Sequence, residues 1–297
     1  MKTRHCHVIV NPRGGRHRGI AIWERVRPIF DEAGWDLAVS VTEYSGHARA
    51  LARTLPLDGY DGLCVLGGDG TVHEVVNGLM EREQPSLPPL GLIPAGSANT
   101  LHQHLGCADP LVAARRIVAG RTGPLDVVRV TIGTQVVYSV DLIGWGSVAD
   151  VNCTAERWRF LGPSRYTAAA LWQVIWARCY PAKILLDDRV VEDEFVFAIA
   201  CNAKYAGKGL KMAPRAELGD GKLDVVLCRR TSRLQMLRLF AKLRTGSHPT
   251  LDCVEYRQVK SLATEGTASE CLDIDGEVKG QAPFRAEVLA GAMTVFI

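Results

Sequence analysis

The sequence predicts an α/β half with a parallel sheet over residues 1–124, followed by a mostly antiparallel β-sandwich over 125–297. Three observations carry this expectation. Short apolar runs alternate with helical periodicity in the first half; Gly123-Pro124 then breaks the chain; closely spaced β-type runs follow, with only two helical insertions. A length of 297 residues agrees with about two domains of ~150 residues each.

In the first half the expected strands are 7–10, 37–42, 63–66 and 90–93. Between them Ile22, Trp23, Val26, Ile29, Phe30 and Ala33 recur at helical spacing, as do Val72, Val75, Val76, Leu79 and Met80. Strands alternating with helices build a parallel sheet whose ligand loops lie at the strand C-termini. In the second half, 125–132 and 135–142 flank Gly133-Thr134 and read as a hairpin. Further strands are expected at 182–186, 195–201, 223–228, 271–275, 284–289 and 293–297, with helices near 164–179 and 232–244.

Composition narrows the function classes. Hydrophobic residues at 47% and charged ones at 23% exclude a disordered or fibrous chain. A net charge of +3 is too small to imply nucleic acid, and none is expected as a partner. No apolar run approaches the ~18 residues of a spanning helix, and the first ten residues lack a signal-peptide core. Nine cysteines, odd in number and without a CxxC pair, sit mostly in apolar runs such as Leu63-Cys64-Val65, which suits reduced thiols and a cytoplasmic location. The pairs His5/His7 and His102/His104 read as spare histidines rather than metal ligands.

The most informative segment is Leu63-Cys-Val-Leu-Gly67-Gly68-Asp69-Gly70-Thr71, where a buried strand runs into three glycines bracketing one carboxylate and then into a helix. Glycines permit close backbone approach, and free amides at a helix start bind phosphate oxygens. A lone aspartate there would repel phosphate, so it makes sense if it holds magnesium or takes a hydroxyl proton. Asn11-Pro12-Arg13-Gly14-Gly15 leaves the first strand by similar logic, and Pro94-Ala95-Gly96-Ser97-Ala98-Asn99 leaves the fourth. The Walker pattern GxxxxGK[ST] is absent, and Gly144-Trp-Gly146-Ser-Val-Ala149 is only a formal dinucleotide match in the β-rich half.

Together with Asp275-Gly276-Glu277, these motifs resemble, in order and over nearly the whole chain, the diacylglycerol-kinase catalytic family, which includes sphingosine, ceramide and bacterial lipid kinases. The resemblance implies an NAD-kinase/diacylglycerol-kinase-like fold. It implies transfer of the γ-phosphoryl of ATP, with Mg2+, to a primary hydroxyl of a sphingoid lipid, ceramide or diacylglycerol. By matching position Asp69 would be the catalytic residue, accepting the hydroxyl proton or organising magnesium. The nucleotide would meet Asn11, Pro12 and Arg13, then Thr42, Glu43, Tyr44, Ser45 and Gly46, then Gly67, Gly68, Gly70, Thr71 and Glu74. Gly96, Ser97 and Ala98 would complete that set from the fourth strand. Asp275, Gly276 and Glu277 would reach it from the second domain. Two alternatives stay open: a soluble-substrate kinase related to NAD kinase, whose loop also reads GGDGT, and a non-catalytic lipid-binding protein on the same fold.

The stretch from Leu142 to Tyr166 is similar to the sphingosine and ceramide kinase branch, which would place Arg159 and Arg165 on ATP phosphates; surface arginines on a helix are the alternative. Asp150 and Asn152 would face the lipid head group. Sphingosine kinases carry an acid at the position of Asn152, and an amide cannot form the ion pair that a protonated amine wants, which favours a neutral acceptor. Asp126 matches an acidic position of bacterial members, either within the catalytic network or as a strand-end carboxylate. The acyl chain is expected around Trp145 and a helix with Leu171, Trp172, Ile175 and Trp176.

Residues 229–244 carry six basic side chains and no acid, with an apolar stripe of Leu234, Leu237 and Ala241 beside Phe240. This suits an interfacial helix on anionic lipid, hence peripheral association with a membrane surface; a solvated basic face with its stripe packed inward is the alternative. A homodimer is one expectation for the oligomeric state.

Overall fold

The computed structural model describes residues 3–83, 87–158, 160, 162, 165–176, 178–207, 209–265 and 270–297. The chain divides into two compact units, one of Met1–Val127 with Gly291–Ile297, the other of Val128–Ala290.

The first unit opens β1 (Arg4–Val10), α1 (Gly14–His17), α2 (Gly19–Glu32), β2 (Trp35–Val41), α3 (His47–Thr54), β3 (Gly62–Gly67) and α4 (Asp69–Met80). It continues with β4 (Leu90–Pro94), α5 (Thr100–His104) and α6 (Pro110–Ala119). The sheet runs β4-β3-β1-β2, every pair parallel. All of β3 and β4 is buried, as is the end of β1. This explains why those strands read as unbroken apolar runs rather than as alternation. Ile22, Trp23, Val26 and Phe30 bury the inner face of α2; Val72, Val75, Val76 and Leu79 do so for α4. The motif periodicity therefore had a packing cause. Helix α6 is set by its ends: Asp109 accepts hydrogen bonds from the Leu111 and Val112 amides, Pro110 opens the first turn, and Gly120 closes it at φ 73°.

The second unit is an antiparallel β-sandwich. Its elements start with β5 (Thr122–Ile132, entering from the first unit), β6 (Gln135–Ser139), β7 (Leu142–Gly146), α7 (Ser147–Arg157), α8 (Arg165–Trp176), β8 (Tyr180–Leu186) and β9 (Arg189–Cys201). Then come β10 (Leu223–Arg229), α9 (Arg233–Leu243), β11 (Val254–Val259), β12 (Ser261–Glu265), β13 (Cys271–Ile274), β14 (Glu277–Gln281) and β15 (Arg285–Phe296). Strand order is β14-β13-β7-β9-β8-β12-β15, with β10 and β11 continuing from β9. Strand β10 shows why these segments are apolar throughout. Leu223, Val225 and Leu227 join the sandwich core around Trp145 and Phe195, while Val226 and Cys228 face a second core built with Val174 of α8 and Met236, Leu239 and Leu243 of α9.

Two expectations are corrected. The hairpin's second strand ends at Ser139 rather than 142, because the 139–142 turn folds around the Asp275 carboxylate and Leu142 begins a separate strand. The two strands expected at 284–289 and 293–297 are one strand, β15, whose final residues belong to the first unit, where Val295 pairs in parallel with Leu90.

Candidate active site

In the first unit three strand-end loops meet. The Asn11 amide donates to Leu66 O at 2.9 Å, and the Ala95 amide donates to Gly67 O at 2.8 Å, so the loops after β1, β3 and β4 are stitched side by side. Asn11 Nδ2 donates to Thr71 Oγ1 at 2.9 Å, while Asn11 Oδ1 accepts from the Arg13 amide at 3.0 Å. A Cβ at Gly67 would lie 2.5 Å from Thr71 Cβ, one at Gly68 2.9 Å from Gly96 Cα, and one at Gly96 2.5 Å from Gly68 Cα. Gly68 and Gly96 are thus required by backbone-to-backbone packing, and Gly67 by the Thr71 side chain against it.

Asp69 stands at the first position of α4, half-buried. Its Oδ1 accepts from the Thr100 amide at 2.8 Å and its Oδ2 from the Asn99 amide at 2.9 Å. Asn99 sits in the left-handed region at φ 54° and clasps Gly96 in both directions, Oδ1 accepting from its amide and Nδ2 donating to its carbonyl. The carboxylate is therefore anchored between two helix N-termini, α4 and α5, at fixed orientation. Ser97 and Arg13 are exposed at the rim of this assembly.

The other expected nucleotide residues of this unit are organised by Glu74. Its Oε1 accepts from the Gly46 amide at 2.9 Å and its Oε2 from the Ala48 amide at 3.2 Å, which caps α3. Thr42 is buried and its amide donates to Val10 O; the Glu43 amide donates to His47 Nδ1; Tyr44 stacks on His47 with centroids 4.5 Å apart; Ser45 is exposed. Asp126, fully buried, accepts from the Gly291 amide at 2.7 Å and so ties β5 to the returning strand.

The second unit holds the remaining expected residues. Asp275 adopts φ 53°, and its Oδ1 accepts from Ser139 Oγ at 2.6 Å and from the Asp141 and Leu142 amides at 3.0 and 3.1 Å, while its Oδ2 accepts from the Val140 amide. Gly276 follows at φ 86°, and Glu277 is exposed and pairs with Lys279 at 3.0 Å. Asp150 on α7 accepts from the Tyr180 hydroxyl at 2.5 Å; burial and this carboxylate push the Tyr180 phenol up. Asn152 Nδ2 donates to Asp273 Oδ2 at 2.5 Å. Arg165 begins α8, whereas Arg159 lies outside the described residues.

Two readings of side chains change. Trp145, expected to line an acyl pocket, is a core residue at 1% exposure, whereas Trp172 and Trp176 are exposed. Asp273 went unread because Cys271-Leu-Asp-Ile-Asp275 looks like a strand end; its only signal is a second acid two residues before the DGE motif.

Glycine-rich turns at successive strand ends, with helix N-termini around one anchored carboxylate, make a phosphate-handling α/β enzyme. Residues 5–130 match the diacylglycerol kinase catalytic domain, and residues 141–297 match the YegS C-terminal NAD kinase beta sandwich-like domain. The chain is 30% identical to sphingosine kinase 1 of Arabidopsis thaliana over 94% of its own length and 70% of that protein's. It is 28% identical to human ceramide kinase over 94% of its length and 64% of that protein's. A diacylglycerol kinase structure from Bacillus anthracis superposes with a TM-score of 0.77 over 100% of this chain and 97% of the other, at 23% identity. The chain belongs to the diacylglycerol-kinase catalytic family and is a lipid kinase.

Proposed function

We propose that this lipid kinase phosphorylates the primary hydroxyl of a neutral lipid, ceramide or diacylglycerol, from ATP with Mg2+, and that Asp69 is its catalytic residue. The observation that carries the reading is the Asp69 carboxylate, held by the Asn99 and Thr100 amides inside a cradle of glycines where a Cβ would collide. A cradle of main chain at Gly68 and Gly96, with Gly67 against Thr71, fits a polyphosphate, and a fixed carboxylate is a hard oxygen donor of the kind magnesium takes. When bound, the metal supplies charge neutralisation for the phosphates. The protein's own part is positioning: Asn11 and Thr71 hold the first loop on the second, Asn99 holds the third, and Asp69 takes the proton of the acceptor hydroxyl. Arg13, Arg159, Arg165 and Glu277 are proposed as further contacts to the nucleotide on the strength of the motif match, with Arg165 a cation at the start of α8.

The choice of a neutral acceptor rests on Asn152, an uncharged amide where sphingosine kinases present an acid. Offering sphingosine, ceramide and diacylglycerol with Mg-ATP tests it. Faster turnover of ceramide or diacylglycerol is expected, and preference for free sphingosine would refute the neutral-acceptor assignment.

We also propose that the enzyme reaches its substrate by docking α8 and α9 on an anionic bilayer. Helix α9 has two apolar faces. Met236, Leu239 and Leu243 pack inward, while Leu234 and Leu237, 59% and 49% exposed, face outward beside exposed Arg233, Arg238 and Arg244. The stripe anticipated from the sequence is thus the outer one. Helix α8 packs on α9 and leaves Leu171, Trp172 and Trp176 exposed, with Trp172 edge-on to Trp158 and tilted against Trp176, ring centroids 5.8 and 5.7 Å apart. Tryptophan suits the depth of lipid head groups, and each cation near an anionic surface gains about 1 kcal/mol. Among the described residues no helix is long and apolar enough to cross a membrane. Charge reversal at Arg233 and Arg238 is expected to weaken binding to phosphatidylserine vesicles and to blunt its salt sensitivity. Vesicle binding at wild-type strength in both that variant and W172A/W176A would remove this face from the mechanism.

A further inference from the structure

Asn152 is a half-buried side chain on α7, and one of its amide hydrogens is already committed inward, to Asp273 Oδ2 at 2.5 Å. Asp273 lies on β13 at 2% exposure, opposite Gly144 of β7. Helix α7 comes down hard on this strand pair. A Cβ at Gly144 would meet Val148 Cγ1 at 2.5 Å and Asp273 Cβ at 3.6 Å, so only glycine lets the helix approach closely enough for Asn152 to reach the carboxyl.

The environment of Asp273 is unusual for an acid. Its charged neighbours, Asp275 and Glu277, are acids too, and burial together with their repulsion pushes its carboxyl well above the usual carboxylate range. Its Oδ1 has no hydrogen-bond partner among the described residues. This arrangement fixes the roles at position 152. The hydrogen bond to Asp273 turns the Nδ2 side of the Asn152 amide inward, so the carbonyl oxygen, a neutral acceptor, is the atom turned the other way.

We propose that Asp273 is a positioning residue for acceptor selectivity, orienting Asn152 so that its Oδ1 receives a hydrogen bond from a neutral N–H or O–H donor of the lipid head group. This rests on the lipid-kinase reading with Asn152 at the head group, and extends it to a residue that never touches substrate. A rotated Asn152 would present its NH2 instead, donor against donor, which discriminates against the correct lipid more strongly than a merely weaker contact would.

The test is a set of four proteins, D273A, D273N, N152A and the double variant N152A/D273A, each checked for a cooperative thermal transition and assayed with ceramide, diacylglycerol and sphingosine. D273A is expected to raise KM for the preferred neutral lipid about tenfold, leaving KM for ATP and kcat within about twofold. D273N keeps a side-chain oxygen able to accept from Asn152 Nδ2 and is expected to restore KM to within about threefold of wild type. In the N152A background the second substitution is expected to add less than about twofold, since the amide it orients is gone. An unchanged lipid KM in folded D273A, or fully additive effects in the double variant, would overturn the role of Asp273 alone. A wild-type protein that phosphorylates none of the three lipids would overturn the lipid-kinase reading beneath it.

Discussion

Replacing Asp69 by asparagine probes the reaction centre and its anchorage in one protein. In the native chain each carboxylate oxygen accepts a backbone amide, Thr100 N on Oδ1 and Asn99 N on Oδ2, at 2.8 and 2.9 Å. Asparagine keeps one oxygen and turns an NH2 toward the other amide. One charge-assisted hydrogen bond therefore becomes neutral, and the other becomes two donors face to face. Charge-assisted bonds contribute about 1.5–3 kcal/mol and neutral ones about 1 kcal/mol. The site is half-buried, so water relieves part of the mismatch, and a net loss of about 2 kcal/mol is expected. At about 2–4 °C per kcal/mol for a domain of this size, the melting temperature should fall by roughly 4–8 °C. Turnover should fall roughly 10²-fold or more, because the amide can neither accept the hydroxyl proton nor serve as an anionic ligand. Calorimetry and steady-state assays at 25 °C, where the variant remains folded, separate the two effects. Turnover near wild type would refute the catalytic assignment, and an unchanged melting temperature would refute the anchoring.

Three other outcomes follow from the same geometry. Gly96→Ala places a Cβ 2.5 Å from Gly68 Cα, and the backbone shift it forces should cost about 1–3 kcal/mol; a melting temperature equal to wild type would show that the loops are not pressed together. Glu74→Ala strips the α3 N-terminus of the carboxylate that accepts from Gly46 and Ala48, which should cost about 1 kcal/mol in denaturant titrations, whereas Glu74→Gln should recover part of it. His102 is fully buried with both ring nitrogens unpartnered among the described residues, and burial holds its pKa down at about 4. The unfolded histidine takes up its proton near pH 6.5, before the native one does. Stability is therefore complete above pH 6.5 and declines toward pH 4, by up to about 3 kcal/mol from this group. His102→Leu should flatten that decline between pH 7 and 4.5, and an identical slope in the two proteins would exclude His102 as its source.

What the sequence disclosed followed from packing. Strands buried on both faces, such as Leu63 to Leu66, leave unbroken apolar runs, and Gly67, Gly68 and Gly96 mark contacts, with Thr71 or with each other's backbone, that tolerate no added side chain. Elements with one wet face were harder to see. Strand β11, Val254-Glu-Tyr-Arg-Gln-Val259, interleaves charged with apolar residues, Val254 through Arg257 all half-buried, and carries too little apolar signal, and α3 buries only Ala48 and Ala52. The outward stripe of α9 was legible, but not its direction, because Met236, Leu239 and Leu243 make a second stripe at the same helical spacing. The partnership of Asn152 with Asp273 joins residues 121 positions apart and leaves no local pattern at all.

The mutual contact of the three glycine loops also limits how this enzyme can change. A Cβ at Gly15 would run into the carbonyl oxygen of Ala95, one at Gly19 into that of Asn11, and Gly68 and Gly96 exclude each other's side chains. Because the obstacles are main-chain atoms, trimming a neighbouring side chain makes no room, and no second substitution nearby can rescue the first. The loops therefore vary as a set or not at all. Altering nucleotide preference by exchanging a single loop with a relative's should break the assembly, whereas transplanting all three together, with Asn11 and Asn99 as their fasteners, preserves every contact that shapes it. New specificity has an easier route through α7 and β13, where side chains rather than backbone set the fit.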